Sequence, residues 1–393
     1  MFRFLTGGES HGPALTAIIE GLPAGMPLLA EPVNEQLRRR QGGYGRGARQ
    51  KIESDSAEIL NGVRFGRTLG SPVTMLVRNR DWENWQGRMR IEPAEEGMEE
   101  PAAITVPRPG HADWVGMIKY GHPDLRNVLE RSSARNTATL VAVGAVARLL
   151  LLEFGIRVVS HVTRIGSEAA PAVEGMTADE LYEKAEASPV RCVDEGASER
   201  IVALIDGAKR RGDTLGGVFE VVTFGLPVGL GSYVHWDKRI DGRLAMALMS
   251  INAIKGVEIG MGFGVAEVPG SQVHDAFYVG GNAGVQRLTN RAGGTEGGIT
   301  NGEPLVIRAA MKPIATLMRQ LESVDLSTRE AKPAFAERSD VCAVPAAAVI
   351  GEAMVGITLA QAFLEKFGGD SLDEVRRNYD GFAATYRNAA EKK

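Results

Sequence analysis

The chain has 393 residues, with 45 Lys and Arg against 49 Asp and Glu and a formal net charge of −4. That near-neutral balance excludes the global basic field of a dedicated nucleic-acid binder, and 44% hydrophobic residues exclude a chain that is disordered throughout. Two cysteines, Cys192 and Cys342, far apart and without a CxxC pair, exclude a disulfide or zinc scaffold and suit a reducing compartment.

The opening MFRFLTGGESHG lacks the apolar core and cleavage site of an export signal, and the longest apolar run, 138–147, falls short of the roughly 20 residues of a membrane span. A cytoplasmic protein with no membrane partner is expected. Short runs rich in β-branched residues predict strands over 15–20, 73–78, 156–162, 218–224 and 305–310. The stretches 135–154 and 346–367 are apolar nearly all round, which predicts two buried helices. A surface helix over 177–186 opens on a capping-box pattern, Thr177 with Glu180. Another over 198–211 has Ser198 as its N-cap and Gly212 as its stop. IEPAEEGMEEP at 91–101 reads as a solvated acidic loop.

Compared with itself, the chain aligns GESHGPALTAIIEGLPAG at 8–25 without gaps to GDTLGGVFEVVTFGLPVG at 212–229. GSPVTMLVR at 70–78 is echoed by GEPLVIR at 302–308, and ERSSA at 130–134 by ERSDV at 337–341, in the same order. An internal duplication with halves 1–205 and 206–393 is expected, folded as one unit because no long linker separates them. The fold class is α+β, and the simplest packing sets the two buried helices between antiparallel sheets.

LRRRQGGYGRGARQK at 37–51 holds Arg38, Arg39, Arg40, Arg46, Arg49 and Lys51 with no acid and four glycines. Guanidinium forks and a glycine loop that turns amides inward make an anion site; a solvated basic or RNA-binding loop has the same composition. At 108–137 come Arg108, His111, Asp113, His122 and Arg135, without a zinc spacing, and no metal is expected. His111 sits between a Pro-Gly turn and Asp113, beside Arg108, where an anion would keep it protonated; His122 is assigned to structure. GESHG also fits the G-x-S-x-G elbow with Ser10 as nucleophile, but almost no chain precedes it, against the strand that motif requires. SINAIKG, NRAGGTEGGITNGEP, MKPIATL and ERSDVCAVPAA mix small residues with a few polar groups, Lys312 and Arg338 among them. Such turns can present amides to a phosphorylated ligand.

In order along the chain, GESHGPALTAIIEGLPAG, RRRQGGYGRG, RPGHAD, ERSSARNTA, SINAIKG, NRAGGTEGGITNGEP and ERSD closely resemble the chorismate synthases, nearly end to end. The resemblance implies conversion of 5-enolpyruvylshikimate 3-phosphate to chorismate and phosphate by anti 1,4-elimination. It implies a requirement for reduced FMN without net redox change, NADPH as a possible flavin reductant, a β-α-β sandwich and a homotetramer. It makes His111 the acid facing the leaving phosphate and His11 the histidine beside the flavin N1 and C2 carbonyl. Asp340 would assist proton removal at N5, with Ser10 and Ser133 in the same pocket. Arg40, Arg46, Arg49, Arg108 and Arg135 would hold substrate anions, Arg40 and Arg46 also lying near a nicotinamide nucleotide. Ser133, Ala134, Arg135, Asn252, Ala253, Gly297, Lys312, Pro313, Ile314, Ala315, Thr316 and Arg338 would contact FMN. A flavin- or RNA-binding module without catalysis is the alternative from another class.

Overall fold

The computed structural model describes residues 2–47, 54–93, 101–173, 175–280, 285–335 and 340–391; Arg49, Arg338 and most of the acidic 91–101 segment lie outside these. Four strands, β1 (Arg3–Gly7), β2 (Ala14–Glu20), β3 (Ala57–Asn61) and β4 (Val73–Arg78), form an antiparallel sheet in the order β1-β2-β4-β3. Alternation sets its buried face. Leu15, Ala17 and Ile19 pair with Val77, Met75 and Val73, all buried, while Ile18 and Glu20 on either side of Ile19 are exposed.

A second antiparallel sheet holds β5 (Arg157–Ile165), β6 (Glu168–Ala169), β7 (Gly217–Phe224), β8 (Ile254–Ile259) and β9 (Leu305–Met311), in the order β8-β9-β7-β5-β6. Matching β5, β7, β8 and β9 to β1, β2, β3 and β4 reproduces the strand order of the first sheet. The strand Arg157–Ile165, which precedes residue 205, belongs to this second sheet. The strand over 157–165, which the sequence reading assigned to the first half, pairs with β7 because its Val158, Val159 and Val162 bury against the second sheet's neighbours.

The helices are α1 (Ala30–Gln41), α2 (Asp113–Tyr120), α3 (Arg126–Ser132) and α4 (Thr137–Leu152), then α5 (Ala178–Ala187), α6 (Glu195–Arg210), α7 (Ile240–Met249), α8 (Val344–Phe367) and α9 (Leu372–Glu391). α4 and α8 lie side by side between the sheets, α4 on β2 and β4, α8 on β5 and β7. A Cβ on Gly144 would fall 2.3 Å from the Cβ of Ala353, so glycine there is what lets the two helices approach so closely. The stretches Arg126–Leu152 and Val344–Phe367 are long and apolar enough to cross a membrane, but 72% and 94% of their most apolar windows are buried in the protein, which accounts for their composition.

The capping box of α5 is present, with Thr177 accepting from the Glu180 amide and Glu180 accepting from the Thr177 amide. α6 differs from expectation. Its N-cap is Asp194, whose carboxylate accepts from the Ala197 amide at 2.7 Å, while Ser198 is buried inside the helix against Ser188 at 2.9 Å. An ionised side chain three residues from an amide outcompetes a hydroxyl one turn later.

Candidate active site

The N-terminal ends of α4 and α8 meet at a cavity of about 440 Å³. Helix N-termini bring unpaired amides and the positive ends of two macrodipoles, so this end of the sandwich suits an anion. Thr137, Ala134 and Arg135 come from the start of α4, and Ala343, Ala346, Ala347 and Ile350 from the start of α8, forming an aliphatic wall beside polar groups. Ser10, Arg40, Arg46, His111, Ser133, Asn252, Ala253, Lys312, Pro313, Ile314, Ala315 and Asp340 also line it.

Only part of the arginine run reaches the cavity. Arg38 pairs with Glu31 at 2.6 Å on the exposed face of α1, and Arg39 turns inward to Glu352 at 2.7 Å and Glu186 at 2.7 Å. Arg40 is buried at the cavity wall, where its guanidinium donates to Thr137 Oγ1 at 2.9 Å, the Ala134 carbonyl at 3.0 Å and Asp55 at 3.2 Å. Asp55 also pairs with Arg135, so one buried carboxylate ties together two arginines of the cavity wall. Arg46 pairs with Asp340 at 2.8 Å, and Asp340 also accepts from the Gly47 amide at 2.6 Å. Its Nε is buried without a hydrogen-bond partner, a donor available to a ligand.

His111 lies at the cavity just before α2, whose first residue, Asp113, is buried. Its Nδ1 hydrogen-bonds Asp113 Oδ1, while Arg108 donates to Asp113 Oδ2 through Nε at 2.9 Å and through its backbone amide at 2.9 Å. Burial opposes ionisation of Asp113, but the hydrogen bonds from His111 and Arg108 and the Arg108 charge outweigh it and hold the carboxyl well below the usual range. Arg108 itself is committed to Asp113 and to Thr316 Oγ1 at 3.2 Å and is not a lining residue, so it acts behind His111 rather than as an open anion clamp. Thr316 likewise stands behind Ala315.

His11 sits in the turn between β1 and β2, beside Ser10, whose Oγ accepts from Ser133 at 3.1 Å. Among the described residues no base touches Ser10, because the neighbouring imidazole is bound elsewhere: His11 Nδ1 is 3.0 Å from both Glu130 oxygens. The hydrolase geometry is not formed. Burial opposes ionisation of Glu130, but the His11 hydrogen bonds win and hold its carboxyl below the ordinary value. His11 Nε2 is buried with no hydrogen-bond partner, an orphan that a polar ligand edge would satisfy.

Ala253 has φ +68, a strained conformation for a residue with a Cβ, held by its carbonyl accepting from the Lys312 amide at 2.9 Å. Asn252 donates to the Ser132 carbonyl at 3.0 Å, joining the two halves across the cavity. Gly297 does not line this cavity. It occupies the turn of the Thr295–Glu296 and Ile299–Thr300 hairpin with φ +58, a conformation that favours glycine. The residues that local reading missed are Asp55 and the α8 wall, whose partners lie far along the chain; Glu130 stood inside the repeated ERS motif, the one signal that pointed to it.

The family model for chorismate synthase matches residues 2–364. Chorismate synthase of Desulforamulus reducens is 58% identical over 376 residues, 96% of this chain and 97% of the relative. That of Geobacter sulfurreducens is 58% identical over 389 residues, 97% of this chain and 98% of the relative. A crystal structure of chorismate synthase is 45% identical, covers 98% of both chains and superposes with a TM-score of 0.79.

Proposed function

Because the chain belongs to the chorismate synthase family, we propose that it uses this cavity to eliminate phosphate from 5-enolpyruvylshikimate 3-phosphate in an anti 1,4 sense, with reduced FMN bound alongside. The observation that carries the reading is His111, fixed by the buried Asp113 that Arg108 also holds, in the same cavity as Arg40, Arg46 and Arg135. A substrate with a phosphate and two carboxylates is suited to a wall that carries several guanidinium groups. With Nδ1 engaged by Asp113, His111 Nε2 is the atom that passes a proton to the departing phosphate.

The residues present fit the flavin. Orphaned His11 Nε2 and Arg46 Nε offer polar contacts, the Ser133, Asn252 and Lys312 groups offer more, and the aliphatic α8 wall gives a ring a face to rest on. Ser133 to Arg135, Asn252, Ala253 and Lys312 to Ala315 would hold it. Reduced FMN, when bound, lends an electron to the allylic system and takes up the proton released from it. Asp340, kept in place by Arg46 and the Gly47 amide, would assist that proton's removal, and His11, next to the lining residue Ser10, would offer its Nε2 to the flavin.

Anaerobic phosphate release from 5-enolpyruvylshikimate 3-phosphate with dithionite-reduced FMN is the test, with oxidised FMN as control. Release with reduced flavin alone is expected, and NADPH added to oxidised FMN reads whether the protein reduces its own flavin at Arg40 and Arg46. Flavin binding without release would leave a binding module instead. A homotetramer is proposed as well, supported by Trp114, Val115 and Ile118 exposed on α2 and Tyr233, Val234 and Trp236 exposed ahead of α7. Light scattering should give about four times the 42.1 kDa chain mass; a monomer would overturn it.

The sequence-based duplication is proposed on the matching strand orders of the two sheets.

A further inference from the structure

We propose that Trp85 is a positioning residue for His11, clamping its imidazole so that Nδ1 stays on Glu130 and Nε2 stays on the cofactor side; this rests on the reading of His11 above. The indole stacks on the imidazole with ring centroids 3.7 Å apart and planes 25° apart. On the edge, Glu130 accepts from the His11 backbone amide at 2.8 Å and lies 3.0 Å from Nδ1. A ring flip would trade the Glu130 bond for a carbon, and tilting would drive the imidazole edge into the indole face. The ring therefore has one orientation.

Trp85 is itself fastened to the turn that carries His11. Its Nε1 donates to Asp81 at 2.8 Å, and the Asp81 amide donates to Asn79 Oδ1 at 3.0 Å. Buried Asn79 then donates to the Gly12 carbonyl through Nδ2 and to the Pro13 carbonyl through its amide, both at 3.0 Å. The guanidiniums of Arg88 and Arg126 each lie 5.5 Å from the indole centroid, and Arg126 also approaches Glu130 at 3.6 Å. Every part of this assembly converges on one imidazole, which a purely structural tryptophan would not require.

Two measurements test it. In a protein whose other tryptophans, Trp82, Trp114 and Trp236, are replaced by Phe, the stacked His11 ring should quench Trp85 emission. His11→Gln should restore the emission; unchanged emission would overturn the stack without reference to activity. In anaerobic turnover, Trp85→Phe should stay within about threefold of the parent and Trp85→Leu should lose about tenfold or more in kcat at similar KM. Combined with His11→Gln, Trp85→Leu should add no further loss. A Trp85→Leu protein at the parent rate, or losses that multiply with those of His11→Gln, would overturn the proposal. Should Trp85→Leu not fold, Asp81→Ala, which releases the indole N–H, should show a smaller loss with the same non-additivity, and multiplicative losses there would overturn it too. Failure of the parent itself to release phosphate would refute the reaction, while the emission arm would still decide the clamp.

Discussion

His111→Ala is expected to slow phosphate release by about 10²- to 10⁴-fold, roughly 3–5 kcal/mol in activation free energy, with the circular dichroism spectrum unchanged. The fold should survive because the Asp113–Arg108 pair closes on itself: Arg108 reaches both Asp113 oxygens without the imidazole. What disappears is the proton donor, leaving an elimination that must expel a fully charged phosphate among arginines. Asp113→Asn makes the complementary change, keeping the shape while removing the charge that orients Nδ1, and should lower kcat more than it raises KM. A fall of less than about fivefold in folded His111→Ala protein would remove it from the general-acid role.

Glu352→Ala is expected to cost about 3–5 kcal/mol of folding stability, the largest effect of any substitution away from the cavity. Glu352 has no exposed surface and lies where α1, α4, α8 and β5 meet. It pairs with Arg39 at 2.7 Å, Arg148 at 2.8 Å and Arg191 at 3.4 Å, and accepts from Ser160 Oγ at 2.7 Å. Removing the one carboxylate common to three guanidiniums takes the ion-pair partner from Arg148 and leaves Arg39 and Arg191 to share Glu186 among the described residues. Burial alone would raise the pKa of Glu352, but the charges of Arg39 and Arg148 pull it to about 2.

A depressed carboxylate stabilises above its unfolded value and loses that contribution as pH falls through the folded one. The Glu352 contribution should thus be complete above about pH 4.5 and fade toward about pH 2. Glu352→Gln, unable to ionise, should lack this component of the acid limb. Urea denaturation of both variants at pH 7 and pH 3 reads it, and a loss under about 1 kcal/mol for Glu352→Ala at pH 7 would refute the account. Because Arg39 precedes Arg40 on α1 and Ile350 precedes Glu352 by half a turn on α8, the cluster also sets where cavity residues stand.

The arginine run marks the limit of local reading. Arg38, Arg39 and Arg40 look alike in sequence, yet a helix turns about 100° per residue, so three consecutive guanidiniums meet solvent, the buried Glu352 and the cavity in turn. No spacing rule distinguishes them, because their partners lie elsewhere: Asp55 for Arg40 and Arg135, Asp340 for Arg46. The same holds for Trp85, whose stacking partner is 74 positions back along the chain, and for Asp194, which displaced Ser198 as a cap by charge rather than by pattern.

The sequence by itself determined the family, through long motifs in order, and the α+β sandwich, because two-residue alternation and all-round apolarity are local properties that survive folding. Only the tertiary structure decided which sheet the strand at 157–165 joins and which charged groups face the cavity rather than the core. Those outcomes depend on partners brought together across tens or hundreds of residues by the packing of α4 against α8, and no local period encodes them.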